Sequence, residues 1–184
     1  MSEPPAFDPD SRVDPPLHGD EVATLRSFLT YHRDTMRWKC SGLTQAQLAT
    51  TLPPSDLTLG GIMKHIALVE SYWFEVTYSG GVYLPPFDPV PWADDDYDWE
   101  FRTAKDDTPQ ELFDLFDEAV RRADAVVDEA LTHGGLEQES ARTGRRTGST
   151  FTLRWILVHM IEEYARHNGH ADLLRQSIDG QTGE

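Results

Sequence analysis

An all-α fold, an antiparallel four-helix bundle with a long loop between its second and third helices, is what this sequence predicts, and three observations predict it. Four long segments repeat apolar residues at spacings of three and four, the mark of a helix with one buried face. No stretch alternates apolar and polar residues convincingly enough for a strand. The chain has 184 residues, a length that suits one domain with a real core.

Taken in order, residues 1–18 are rich in Pro, Asp and Glu, show no period, and read as an extended arm. The bundle domain is expected over 19–180, with 181–184 as a tail. From Asp20, a natural N-cap, Val22, Leu25, Phe28, Leu29, His32 and Met36 form the stripe of a first helix. Gly42 suits the left-handed position that closes it. Thr44 and Gln47 have capping-box spacing, so a short helix is expected before Pro53 and Pro54 stop it. The second long helix begins near Thr58 and ends at Ser79, before Gly80 and Gly81. Around His65, the residues Thr58, Ile62, Val69, Tyr72 and Val76 all fall within about 60° on a helical projection. His65 is therefore expected in the middle of the core-facing side.

Prolines exclude a regular helix from the first half of residues 80–108, so a long acidic loop is expected there, ending in a helical turn. Such a loop either covers a site or is a solvated connection with Trp92 and Trp99 tucked onto the bundle. The carboxylates of Asp94, Asp95 and Asp96 do not follow the spacing of a calcium loop. Thr108, Pro109 and Glu111 then make a strong helix start, and the third helix runs through Leu112, Phe116, Ala119, Ala123 and Val127 to about Thr132. The next loop carries Arg142, Arg145 and Arg146, which suit either an anionic substrate group or ordinary surface ion pairs. Ser149 or Thr150 is expected to cap the fourth helix, whose stripe is Leu153, Ile156, Leu157, Met160, Tyr164, Ala171 and Leu174.

Composition removes several functions. Thirty-two acidic against sixteen basic residues give a net charge of -16, which repels phosphate backbones and anionic lipid. Nucleic acid and membrane surfaces are therefore not expected partners. No apolar run approaches the roughly 20 residues that span a bilayer, and the N-terminus lacks the features of a signal peptide, so the cytoplasm is the expected compartment. Cys40 is the single cysteine, which excludes an intrachain disulfide and a cysteine-cluster zinc site. Nothing around it suggests a lowered pKa, and it reads as a packed bystander.

The chemistry concentrates on the fourth helix. Glu163 and His167 stand four residues apart and so share a helical face. Measured from Met160, His167 lies about 20° away and Glu163 about 60°, while His170 at about 80° and His159 at about 100° fall on the flank. A carboxylate facing a core is costly unless something neutralises it. If the second and fourth helices face each other, His65, Glu163 and His167 converge as two nitrogen ligands and one oxygen ligand. Three ligands leave a position open, as catalytic zinc sites do. The alternative is structural, with Glu163 paired to an arginine and the histidines hydrogen-bonded inside. No Ser-His-Asp arrangement, phosphate-binding glycine loop or HExxH sequence offers a stronger enzyme reading.

The run HMIEEYARHNGHADLLRQSIDG, with GGIMKHIALVE in the second helix and RWKCSGL after the first, resembles the DinB-like metal-binding four-helix bundles. The resemblance is to the actinobacterial branch near the mycothiol-dependent enzymes, and it covers the chain from about Asp20 to Gly180. In that family one histidine comes from the second helix and two ligands come from the fourth at a spacing of four, the last followed after one residue by glycine. His65 matches the first, Glu163 and His167 the pair, and Asn168 with Gly169 the motif that follows. Many members have histidine in place of Glu163, whereas glutamate there is familiar in mycothiol-dependent maleylpyruvate isomerases; many also carry glutamine in place of His170. The resemblance implies a divalent metal, zinc first with nickel or iron as alternatives, and mycothiol as co-substrate. It further implies a homodimer in which a metal-bound thiolate attacks a small-molecule electrophile, by S-transfer or thiol-assisted isomerisation. On this reading the 142–146 loop or Arg154 meets anionic substrate groups. The rival function is a non-enzymatic, stress-associated bundle that binds a metal or small ligand.

Overall fold

The computed structural model describes residues 4–88, 98–144 and 148–183. Helix α1 (Glu21–Cys40) starts where the Asp20 carboxylate accepts the Ala23 amide, and Gly42 follows it at φ 70°. The one-turn α2 (Gln45–Leu48) sits under a complete Thr44 and Gln47 capping box. Helix α3 (Leu59–Glu70), capped by Thr58, passes directly into a π-helical stretch over Ser71–Tyr78. The end of the acidic connection forms α4 (Trp99–Thr103) and a 3-10 turn over Ala104–Asp106. Helix α5 (Pro109–His133) has the expected Thr108 and Glu111 capping box, and α6 (Leu153–Asp179) ends at Gly180 with φ 80°. Among the described residues there is no strand, only the isolated bridges Leu52 with Ser55 and Glu139 with Thr152. No described helix is long and apolar enough to cross a membrane.

The four long helices bury one shared core in which Met36, Ile62, Ile66, Phe74, Phe116, Ile156, Met160 and Tyr164 are wholly inaccessible. Helix α1 packs along α6 and α3 along α5, while α3 also reaches α6. Within this core lies a charged network to which each long helix contributes one residue. Arg33 on α1 donates twice to Glu70 at the end of α3, at 2.7 and 2.8 Å, and once to Asp124 on α5 at 2.8 Å. The Tyr164 hydroxyl on α6 donates to Glu70 at 2.8 Å. Burial works against the charge of Arg33, but the Glu70 carboxylate outweighs it and lifts the guanidinium above its ordinary range.

Described residues of the arm and tail lie against α1. The Gly42 amide donates to the Pro5 carbonyl at 2.8 Å, Arg12 stacks over Tyr31 and Trp38, and Lys39 donates to the Gly183 carbonyl at 2.6 Å.

Two local expectations change. The fourth long helix is capped by Thr152, whose hydroxyl accepts the Trp155 amide, rather than by Ser149 or Thr150. Backbone pairing explains this, because the Ser140 amide donates to the Phe151 carbonyl at 2.8 Å and the Phe151 amide to the Ser140 hydroxyl at 3.0 Å. His65, for its part, borders the core instead of occupying its middle, with 22% of its side chain exposed. The buried face of α3 is Leu59, Ile62, Met63, Ile66, Ala67 and Glu70. The wider π turns then shift the phase, so that Ser71, Phe74, Thr77 and Tyr78 are buried while Tyr72 is only partly so.

Candidate metal centre

Helix α3 presents His65 and helix α6 presents Glu163 and His167 at the border of the core. One ligand atom from each lies within 4.8 Å of the other two. The two imidazole rings are 5.0 Å apart and tilted by 57°, and His167 Nε2 is 3.7 Å from a Glu163 oxygen. Among the described residues, this is the group of histidine, cysteine and carboxylate side chains with metal-ligand spacing. Among the described residues, the ion-pair neighbours of Glu163 are His159 and His167 rather than an arginine.

A residue that sequence reasoning missed orients the first candidate ligand. Glu100, only 2% exposed, places Oε1 2.8 Å from His65 Nδ1. A carboxylate accepts, so in neutral His65 the proton sits on Nδ1 and the Nε2 lone pair is left for coordination. Phe101 stacks on the same imidazole with centroids 4.7 Å apart, fixing the plane of the ring. The signal in the sequence is slight: a Trp99, Glu100, Phe101 triplet at the end of a highly charged connection.

His167 is kept neutral by its surroundings. Burial first, then the neighbouring His65, His170 and Arg166, push it down to about 4. Its Nδ1 is buried without a hydrogen-bond partner, as is the second oxygen of Glu100. Two imidazoles and one carboxylate around a shared point make a donor set that suits zinc, and two buried polar atoms beside it have no hydrogen-bond partner among the described residues. The residues therefore fit a divalent metal.

His159 and His170 stand beside the group rather than in it. His159 stacks on Trp155 at 4.8 Å and brings Nε2 to 3.4 Å from Glu163, while His170 meets the His167 ring edge-on at 5.5 Å. Asn168 is 5% exposed and donates to the His32 carbonyl at 3.0 Å, tying α6 to α1 next to the ligand. Two arginines suggested for substrate are engaged elsewhere. Arg142 donates to the Gly80 and Gly81 carbonyls, and Arg154 to Glu21 and Glu137. Trp92, Asp94, Asp95, Asp96, Arg145 and Arg146 lie outside the described residues.

Space for an organic molecule adjoins the group. A cavity of about 430 Å³ is lined by Asp56, Leu57, Asp98, Phe101 and Arg102, and so shares Phe101 with the His65 stack. A smaller one, of about 70 Å³, is lined by Leu57, His170 and Leu173 among others. A third, of about 440 Å³, lies against Tyr78, Glu129 and His133, and His65, Glu163 and His167 are not among the lining residues of any of the three.

Comparison with curated proteins finds no match. The family described as Mycothiol-S-transferase matches residues 24–180, a span that runs from the first turn of α1 to the cap of α6 and takes in His65, Glu163 and His167. The chain belongs to the mycothiol-S-transferase family.

Proposed function

We propose that the protein is a metal-dependent mycothiol S-transferase whose centre is held by His65, Glu163 and His167. The convergence of the three ligand atoms within 4.8 Å carries this reading, and family membership supplies the thiol. His65 and His167 donate neutral nitrogens, and Glu163 offsets part of the cation's charge. A divalent metal here, with zinc suiting the donor set best, favours the thiolate form of a low-molecular-weight thiol near neutral pH and so supplies the nucleophile.

The remaining work falls to the chain. Glu100 and Phe101 hold the His65 ring in one orientation, and burial keeps His167 unprotonated. Phe101 and Leu57 give the adjoining cavity an apolar wall against which a small electrophile packs with partial exclusion of water. In the transfer a carbon–sulfur bond forms, the bond to the leaving group breaks with its electron pair, and the thiol proton is released to solvent.

Elemental analysis of tag-free protein, followed by assays of mycothiol consumption with haloarenes and quinones, tests the reading. The expected result is one divalent metal per chain and turnover that Glu163→Gln abolishes. Stoichiometric metal without turnover on any electrophile favours the non-enzymatic binding bundle, and absence of metal overturns both.

A further inference from the structure

We infer that Glu100 is a positioning residue for the centre, and that it fastens the segment around α4 to the metal site so that the two assemble together. This rests on the metal reading above, and it adds a function to a part of the chain outside the three ligands.

A five-residue helix has no independent stability, so α4 owes its order to what it touches. Two neighbouring residues of α3 hold it. Lys64, 3% exposed, donates to Thr103 at 2.9 Å and to Asp107 at 2.6 Å, and its ammonium lies 4.7 Å from the centre of the Trp99 ring. His65 adds its bond to Glu100 and its stack on Phe101. Gly61 eases this approach of α3: a Cβ there would stand 2.9 Å from the Thr58 hydroxyl and 3.2 Å from the Phe101 ring. The segment is thus pressed onto the turn of α3 that carries the first ligand.

The chemistry of the Glu100 contact is specific. A nearly inaccessible carboxylate needs strong donors, yet only one of its oxygens has a partner. That partner is the far nitrogen of a candidate metal ligand. A carboxylate accepting from the distal N–H of a ligating histidine fixes its tautomer and rotamer and raises the basicity of the coordinating nitrogen. Coordination at Nε2 makes Nδ1–H a better donor in turn, so metal binding strengthens the bond that holds α4 down.

The test uses metal-free full-length protein and four chains: wild type, Glu100→Ala, Glu100→Gln and Asp107→Asn. Zinc affinity is measured by competition with a chromogenic chelator, and the cobalt-loaded forms are compared by visible absorption. Glu100→Ala is expected to weaken zinc binding by about 10- to 100-fold. Glu100→Gln, which keeps an acceptor for Nδ1–H but no charge, falls between it and wild type, with displaced cobalt bands. Asp107→Asn loosens the same segment without touching His65, so it leaves the cobalt spectrum unchanged and weakens affinity far less than Glu100→Ala. Hydrogen exchange of residues 98–107 slows on zinc binding in wild type and not in Glu100→Ala. If wild type binds zinc and both Glu100 variants match it in affinity and spectrum, the positioning role is overturned while the centre stands. If wild type binds no metal, the centre itself is overturned and this inference with it.

Discussion

Two of the bundle's clusters of polar side chains, one within the core and one at its border, differ in how far they satisfy themselves. In the first, Arg33, Glu70, Asp124 and Tyr164 combine donors with acceptors, and both Glu70 oxygens and the Tyr164 hydroxyl have partners. In the second, His65, Glu163 and His167 bring two imidazoles and a carboxylate together: with Nδ1 of His65 committed to Glu100, its Nε2 is left as a lone pair, and the nearest imidazole nitrogens, of His159 and His167, stand 3.4 and 3.7 Å from the Glu163 oxygens. A set of this kind is completed by a cation more fully than by its own weak contacts. The first cluster is thus closed by its own partners, as a structural device is, whereas the second leaves ligand atoms available, as the proposed metal centre requires. The same contrast explains their exposure, since Glu70 is wholly buried while the Glu163 side chain keeps 17% of its surface accessible.

The largest expected effect comes from opening the closed cluster. Glu70→Ala leaves buried Arg33 with the half-exposed Asp124 as its remaining counter-charge among the described residues, and urea denaturation should show a loss of about 3–5 kcal/mol. Glu163→Gln in metal-free protein should cost less than about 1 kcal/mol in the same experiment, because its neighbours His159 and His167 stand at 3.4 and 3.7 Å and make only weak, part-exposed contacts. A comparable loss in both would erase the distinction between the clusters.

Zinc should reverse the ranking. At a thousand times its dissociation constant, zinc is expected to stabilise wild type by about 4 kcal/mol and Glu163→Gln hardly at all, read as a shift of the urea midpoint. The Tyr164→Phe chain, perturbed in the closed cluster, should still gain the full increment.

How much of this was legible in the sequence depends on range. Glu163 and His167 are set by helical geometry alone, and the stripe from Leu153 to Leu174 is buried as its spacing demands. The capping boxes at Thr44 and Thr108 likewise form from residues within one turn. His65 joins the pair only through the packing of α3 on α6, which periodicity suggests but does not fix. Glu100 is a case of information that local pattern does not hold, because its partner is 35 residues away and its own segment is ordered by that partner. The π stretch escaped for a related reason: SYWFEVTY suits an α-helix equally well, and the Ser71 hydroxyl, which accepts the Leu84 amide at 2.8 Å, belongs to a distant contact. Arg33 and Glu70 were overlooked because ionic residues in a helix read as its wet face until the partner is known.

Acid should sharpen the comparison further. His167 is held near 4 against an ordinary 6.5, so between those values the unfolded chain takes up a proton that the folded chain refuses. Stability of the metal-free protein should therefore fall as pH drops from 6.5 toward 4, and it should fall less steeply in His167→Gln. Parallel curves would mean that burial does not hold His167 neutral. The smallest effect concerns Cys40, whose thiol burial pushes up to about 12. Iodoacetamide at pH 8 should leave it unmodified in folded protein and alkylate it in urea, as mass spectrometry would show.

Zinc-edge X-ray absorption of the tag-free, zinc-loaded protein tests the central claim most directly. The account predicts two imidazole nitrogens at about 2.0–2.1 Å and a carboxylate oxygen at about 2.0–2.2 Å, with one imidazole lost in either His65→Ala or His167→Ala. A shell unchanged by both substitutions would contradict it.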